Sequence, residues 1–259
     1  MPASDSNTHD WKDPRTLLCE RCGYVIENLD HALPCPECGK PIIESLPHRA
    51  QGSPWQNRRS IWSLLQTWFM TICRSKALFG RLNIDEEASS NSLLFLGLLL
   101  GFLTPMLTIL TVSVISIVQY GRSTFPGFMP IFLTALVLLF FWIFAVIYAS
   151  LGTLRLRYFA HIRKYRLTQA TRSAIVGHAS LGLTIAPIGI TGAIFVFILL
   201  DTFDLFDRGP FWLGLSMAGS IIAWLSIPLA LIEFEILMHT GSKALRYRNI
   251  LPPEDNPNA

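Results

Sequence analysis

The chain has 259 residues, of which 51% are hydrophobic and only 15% charged, and its formal net charge is +3. This composition argues against an ordinary water-soluble domain. The small net charge, spread along the chain, argues against a nucleic-acid-binding protein, which needs clustered Lys and Arg to contact phosphates.

Residues 1–17 predict a flexible polar N-terminus, and residues 18–44 predict a zinc ribbon. Cys19 and Cys22 form one C-x2-C pair and Cys35 and Cys38 form a second, with twelve residues between the pairs. A glycine follows each pair and suits the left-handed turn that brings backbone N–H groups towards the sulfurs. Four thiolates at this spacing are typical of structural zinc, with no open position for a catalytic water.

Two alternatives for the cysteines stay open at this point. Rubredoxin-type iron uses similar knuckles, but with a longer interval and an aromatic core, whereas Tyr24 is the one aromatic residue in this interval. Two disulfides would suit a secreted protein, but Met1–Glu20 does not have the pattern of a signal peptide. With zinc bound, the metal supplies most of the ribbon's folding free energy, and four apolar residues are expected to pack on one side: Ile26, Leu29, Leu33 and Ile42.

Residues 45–59 predict a linker, and residues 60–81 predict an amphipathic helix with apolar residues at helical spacing. This helix lies either in the interface of the cytoplasmic leaflet or against the cytoplasmic ends of the membrane spans. The two interpretations have equal weight, because periodicity does not separate lipid from protein contact. Cys73 is predicted to be a buried small hydrophobe, and Asp85–Glu87 are predicted to begin the first long helix.

Residues 88–241 predict a bundle of membrane-spanning helices. Four stretches lack Asp, Glu, Lys and Arg altogether: 88–121, 123–154, 173–200 and 209–232. Each exceeds the roughly 20 residues that cross a bilayer as a helix. Three spans are predicted over Ser92–Tyr120, Pro130–Leu154 and Phe211–Met238. Ser173–Phe206 is either one helix kinked at Pro187 or two short helices, and a weaker helix is predicted over Leu154–Arg172.

Arg and Lys in short loops predict the orientation of the bundle. The segments before the first span and after the second span are rich in Arg, and so is the polar C-terminal tail, residues 242–259. The loop containing Arg122 and the acidic loop Asp201–Arg208 have few cations and are expected outside. This pattern predicts four crossings with both termini and the zinc ribbon cytoplasmic. Five crossings are the alternative.

Several short segments resemble the Yip domain, the family of Ypt-interacting membrane proteins. They are Ser53-Pro54-Trp55-Gln56-Asn57-Arg58, then Thr67-Trp68-Phe69 to Phe79 before a leucine-rich span, Ala170-Thr171-Arg172, and Ala186-Pro187-Ile188-Gly189. The resemblance covers roughly residues 53–240 and extends to bacterial members with a preceding zinc ribbon. It implies a compact bundle of about five helices and, for eukaryotic members, membrane-organising or trafficking roles through small GTPases and partner membrane proteins. For bacterial members it implies little that is biochemical, and a bacterial inner membrane is the expected location. It implies no catalytic residue.

The sequence predicts an all-α multi-pass membrane helical bundle of four to five spans with a small zinc ribbon. No catalytic motif is present, so we expect a non-catalytic scaffold or adaptor whose ribbon binds a protein partner; self-association is left open. The alternative is a small transporter or channel in which Glu233, Glu235 and His239, with His178 as a partner, form a proton or cation site. We favour instead the interpretation that Glu233, Glu235 and His239 lie at the cytoplasmic headgroup level of the last helix. Asp201 is then expected at the outer interface.

Overall fold

The computed structural model describes residues 16–46, 51–84, 93–103, 128–202 and 210–249, with residues 106, 107, 110, 111 and 114 between them. Several predicted features lie outside these ranges. They are most of the flexible N-terminus, the acidic start at Asp85–Glu87, the second half of the first span, most of the acidic loop, and the tail beyond residue 249. Within the described part of the chain, the regular structure is helical, apart from two isolated β-bridges.

The chain divides into two compact units. The first, here called the charged unit, comprises Met1–Ser90, Thr153–Ile175 and Met238–Ala259; the second, here called the apolar unit, comprises Asn91–Gly152 and Val176–Leu237. The ranges of the apolar unit hold few charged residues: Arg122, Asp201, Asp204, Asp207, Arg208, Glu233 and Glu235. A unit so poor in charge has the composition of a membrane-embedded bundle, and most of the charged residues of the chain belong to the other unit.

The long helices are α4 to α8. Helix α4 covers Leu93–Leu103, α5 Phe128–Arg163, α6 Gln169–Ala179, α7 Ile185–Thr202 and α8 Pro210–Ala244, with a 3-10 segment Ser180–Thr184 between α6 and α7. Three stretches are long and apolar enough to cross a membrane: Leu139–Arg163, Gln169–Val196 and Met217–Ala244. The prediction of a helical, multi-pass membrane protein is confirmed at this level.

Two alternatives were open for Ser173–Phe206, one helix kinked at Pro187 or two short helices, and the structure has no helix end at Pro187. Pro187 is the third residue of α7, where the missing N–H costs little because the first turn of a helix lacks intrahelical acceptors. Helix α6, the 3-10 segment and α7 therefore follow one another as a single apolar stretch.

Small residues bring the helices of the apolar unit close together. A Cβ added at Gly189 of α7 would lie 2.5 Å from the Cβ of Ser226 in α8. The Ser226 hydroxyl donates a hydrogen bond of 3.2 Å to the Ala186 carbonyl. The indole N–H of Trp142 donates to the Leu98 carbonyl at 2.9 Å. Close backbone approach and interhelical hydrogen bonds are the usual means of packing helices in lipid.

Three short helices in the charged unit lie in the region predicted as a linker and an amphipathic helix. They are α1 (Pro54–Asn57), α2 (Ile61–Cys73) and α3 (Ser75–Phe79). Helix α1 begins at a capping box in which Ser53 and Gln56 satisfy each other's backbone N–H groups. The predicted helix over 60–81 is interrupted at Arg74, whose backbone is not helical.

Helix α2 buries its polar side. Ser63, Thr67 and Thr71 are buried, and the Thr67 hydroxyl accepts a 3.0 Å hydrogen bond from the backbone N–H of Trp55 in α1. The apolar residues point outwards: Ile61 is 80% exposed, Trp62 69%, and Leu65 and Phe69 are also exposed. Small hydroxyl side chains allow α1 to approach closely while satisfying its backbone, which leaves the apolar face of α2 uncovered by the described residues.

Two further predictions are wrong. Cys73 is exposed, because it ends α2 on the outward side of that helix rather than in a core. The helix predicted over Leu154–Arg172 is broken: α5 ends at Arg163, Lys164 adopts a left-handed backbone with φ of 54°, and α6 begins only at Gln169. A left-handed residue ends an α-helix, and periodic apolar residues alone do not reveal it.

Candidate metal centre

The sulfur atoms of Cys19, Cys22, Cys35 and Cys38 all lie within 4.8 Å of one another. The Sγ atoms of Cys19 and Cys38 are 3.5 Å apart, and those of Cys22 and Cys35 are 3.6 Å apart. A tetrahedral zinc with bonds of about 2.3 Å places its sulfurs roughly 3.8 Å apart. The four side chains therefore have the arrangement that a tetrahedral thiolate site requires, and all of them are free rather than disulfide-bonded.

The two knuckles have matching backbones. The N–H of Gly23 donates to the Cys19 carbonyl at 2.8 Å, and the N–H of Gly39 donates to the Cys35 carbonyl at the same distance. Both glycines are left-handed, with φ of 81° and 71°. The turn predicted from the glycines is present in each knuckle, and it is what folds each pair of cysteines onto one site.

The thiols differ in their readiness to ionise. Burial opposes ionisation of Cys19, but hydrogen bonds with the Cys22 and Arg21 backbone outweigh it and lower the Cys19 pKa to about 7. Burial raises the pKa of Cys22 to about 12, and the neighbouring thiols act in the same direction. A divalent ion that binds thiolates would favour ionisation of all four cysteines, including those whose thiol pKa is raised.

A small apolar cluster supports the site. Ile26 and Ile42 are buried beside the cysteines, with Leu17 and Leu29 partly buried against them. Leu33 was expected in this cluster, but it is 56% exposed. The Leu33 carbonyl accepts a 3.2 Å hydrogen bond from the Ile42 N–H beside the Pro34–Pro41 bridge, so the backbone of Leu33 belongs to the ribbon while its side chain is exposed. So small a cluster leaves most of the folding free energy to the metal.

The C-terminal segment of the same chain holds the ribbon through the side-chain amide of Asn249. Its Oδ1 accepts from the Leu18 N–H at 2.9 Å, and its Nδ2 donates to the Leu18 carbonyl at 2.7 Å and to the Ser45 carbonyl at 2.6 Å. Asn249 is buried, and these contacts join the two ends of the ribbon to residue 249.

Arginines complete this attachment. Arg166, buried in the loop between α5 and α6, donates to the Thr16 carbonyl and, at 2.8 Å, to Oδ1 of Asn249. Arg248 is buried as well, and its Nη1 lies 3.0 Å from Oε1 of Glu20. Glu20 also pairs with Lys40 at 3.4 Å. Buried, hydrogen-bonded ion pairs of this kind fix geometry, and losing one partner strands the other.

The two knuckles face different surroundings. A Cβ added at Gly23 would lie 2.9 Å from the ring of Tyr247, whereas a Cβ at Gly39 would meet nothing within 4 Å. Arg246 also donates to the Arg21 carbonyl within the first knuckle. The first knuckle is therefore covered by the chain's own C-terminal segment, and the second is open.

The residues proposed for a proton or cation site are not assembled in this way. The Tyr148 hydroxyl donates to Glu235 at 2.5 Å, and His178 is buried whereas Glu235 and His239 are exposed. Across the described ranges, the four cysteines form the one group of three or more Cys, His, Asp or Glu side chains with converging ligand atoms.

Comparisons with protein-family models, with curated proteins and with solved structures find no match to this chain. The resemblance to the Yip family therefore stays a prediction.

Sequence reasoning found the cysteines but missed Asn249, Arg166 and Arg248. The local sequence carries no signal for them, because Asn249 and its partner Leu18 are 231 residues apart. A buried Asn in a tail and a buried Arg in a basic loop look like ordinary polar residues until the fold places them.

Proposed function

We propose that this chain is a non-catalytic integral membrane scaffold or adaptor with a cytoplasmic structural zinc ribbon that binds a protein partner. The observation that carries the proposal is the asymmetry of the two knuckles. Four thiolates leave zinc no free position for catalysis. The covered first knuckle fastens the ribbon to its own chain, while the open second knuckle, with exposed Leu33 beside it, offers a surface to a partner.

The ribbon's contact with residue 249 supports an even number of crossings. Two segments that share buried hydrogen bonds lie on the same side of a bilayer, so the chain between residues 46 and 245 crosses an even number of times. Three candidate spans are an odd number. Adding the predicted first span, which begins with α4, gives four. We infer four crossings, with the arginine-rich loops cytoplasmic.

We further propose that α2 lies in the membrane interface. The polar side of α2 packs against α1 and its apolar side is exposed, which supports the interfacial interpretation. Exposed Ile61, Trp62 and Phe69 are suited to the acyl–headgroup boundary, and Arg74 and Lys76 follow directly.

The test combines metal analysis with site-specific crosslinking in the intact protein. Purified full-length chain should contain one zinc, and Cys38→Ser should lose it. A photo-crosslinking residue at Leu33 should capture one defined protein in cells, and the same residue at exposed Lys243 should not. Capture should disappear with Leu33→Asp while zinc is retained. Equal capture from both positions, or bound iron, would contradict the proposal. Deleting the ribbon is a poorer test, since it removes the hydrogen-bond partners of the buried side chains of Arg166 and Asn249.

A transporter is the second candidate, and the hydrogen bond between Tyr148 and Glu235 is the observation that favours it. An ionisable residue on a membrane-spanning helix with a hydrogen-bonded partner is a typical element of proton pathways, although Glu235 itself is exposed. Helix α8 is about 52 Å long, however, against a hydrocarbon thickness of roughly 30 Å, so part of it extends beyond the core. Its charge-free stretch ends at residue 232, which favours a position of Glu235 in the part that extends beyond it. Loss of ion flux in a well-folded Glu235→Gln protein would promote the transporter.

A further inference from the structure

A cavity of about 710 Å³ opens on the charged unit beside the last turns of α5. Its walls come from the α5 stretch beginning at Leu154, from Leu167 in the following loop and from Arg172 in α6. Arg155 and Arg157 contribute two further guanidinium groups. Helix α5 ends before the left-handed residue Lys164, and α6 contributes Arg172 to the lining of the cavity.

The electrostatics of this cavity favour an anion. Three arginines line it, and no Asp or Glu is among its lining residues. The charge of Arg157 repels that of Arg172, and Arg172 is partly withdrawn from solvent. An anion between like charges relieves their repulsion, and guanidinium groups bind phosphate oxygens with paired hydrogen bonds.

The position of the cavity identifies the source of that anion. Arg155 is the first charged residue after the stretch 123–154, which contains none. Exposed Leu154, Tyr158 and Phe159 stand beside the arginines on the same turns of α5. Aromatic residues next to cations at the end of an apolar helix are typical of the bilayer interface. The same site therefore offers apolar contact to acyl chains and guanidinium groups to a headgroup.

We propose that this cavity binds the headgroup phosphate of an anionic phospholipid, through Arg155, Arg157 and Arg172, with its acyl chains along Leu154 and Phe159. A soluble phosphate ester would satisfy the arginines alone and would leave the apolar wall uncovered. The site is independent of the zinc ribbon and of any protein partner. Lipid binding here would fix the depth of α5 in the membrane.

Native mass spectrometry of the detergent-purified full-length protein tests the proposal. Phosphatidylglycerol and phosphatidylcholine with identical acyl chains are added in turn. We expect the wild type to retain phosphatidylglycerol about tenfold more than phosphatidylcholine, the size of effect that one or two charge-assisted hydrogen bonds produce. Arg157→Gln and Arg172→Gln should each remove most of this preference. Arg163→Gln is the matched control, since Arg163 is exposed on α5 and does not line the cavity.

Two outcomes would overturn the proposal. The first is a preference for phosphatidylglycerol that survives in the double variant Arg157→Gln/Arg172→Gln. The second is displacement of the lipid by glycerol phosphate at equal concentration, which would assign the arginines to a soluble ester. If Arg172→Gln lowers the unfolding temperature, Arg157→Gln carries the test, because Arg157 is exposed and its loss leaves the packing unchanged.

Discussion

Asn249 occupies both its amide oxygen and its amide nitrogen in holding the ribbon. Truncation to Ala would leave the Leu18 N–H and the Leu18 and Ser45 carbonyls without this partner in a buried site. Each unsatisfied buried group costs about 1–3 kcal/mol. We expect Asn249→Ala to speed hydrogen exchange in the peptide around Leu18 by about tenfold or more, measured by mass spectrometry on the full chain.

Asn57→Ala is the matched control for this prediction, because Asn57 is exposed and belongs to the same unit. Unchanged exchange around Leu18 in Asn249→Ala would show that the ribbon stands without its C-terminal support.

The two knuckle glycines form a natural pair for a second prediction. Both are left-handed, so alanine costs about 1–2 kcal/mol at either position. Only at Gly23 does the new methyl group also collide with Tyr247. We expect Gly23→Ala to lose zinc to a chelator markedly faster than Gly39→Ala does. A colorimetric zinc indicator measures the rate of zinc release.

A double variant isolates the collision. Adding Tyr247→Ala to Gly23→Ala removes the ring and should restore the rate of zinc loss to that of Gly39→Ala. Identical rates in the two single variants would contradict the assignment of Tyr247 to the first knuckle.

At the residue scale, the sequence predicts a site correctly when its residues are only a few positions apart in the chain. The cysteine pairs and their glycines are close in sequence, so spacing alone indicates one site and a left-handed turn after each pair. Leu33 was misplaced, because its side chain is exposed and apolar character does not encode the direction in which a side chain faces. Asn249 was invisible, because its role depends on contacts across almost the whole chain.

Helix α2 shows the same limit for a whole element. Its apolar periodicity is readable from the sequence, but the direction of the apolar face is not. That direction depends on α1, whose backbone N–H at Trp55 requires the hydroxyl of Thr67. The break at Arg74 and the left-handed Lys164 were also missed, since neither involves Gly or Pro, the residues that usually mark such interruptions.

The outward face of α2 predicts contact with lipid. A nitroxide at position 69, introduced as Phe69→Cys in a Cys73→Ser background, should be accessible to oxygen and protected from a water-soluble nickel reagent in reconstituted membranes. A nitroxide at Lys76 should show the opposite preference, because Lys76 is exposed and polar. Apolar side chains at the bilayer boundary are buried about 5–10 Å into it. Equal nickel accessibility at the two sites would place α2 in water.

For the molecule as a whole, the main inference is that the chain crosses the membrane an even number of times. Charge-free stretches in the sequence identify the membrane region. The number of membrane crossings stayed between four and five, because the loops are short and Ser173–Phe206 is either one helix or two. The contact between Leu18 and Asn249 adds a constraint that no hydropathy pattern contains. In the proposed topology this contact holds residues 18 and 249 on one side of the membrane, which supports the proposed four crossings rather than the five helices that the Yip resemblance implies.

Single-cysteine labelling tests the parity directly. In a Cys73→Ser background, cysteines introduced at exposed Asn57 and Lys243 should both resist a membrane-impermeant maleimide in whole cells and both react after permeabilisation. A cysteine at Arg122, in the predicted outer loop, should react in whole cells. The zinc ligands should stay silent throughout, because metal-bound thiolates react slowly. Labelling of Lys243 but not Asn57 in whole cells would mean an odd number of crossings, and the hydrogen bonds between Asn249 and the ribbon would then be impossible in the membrane.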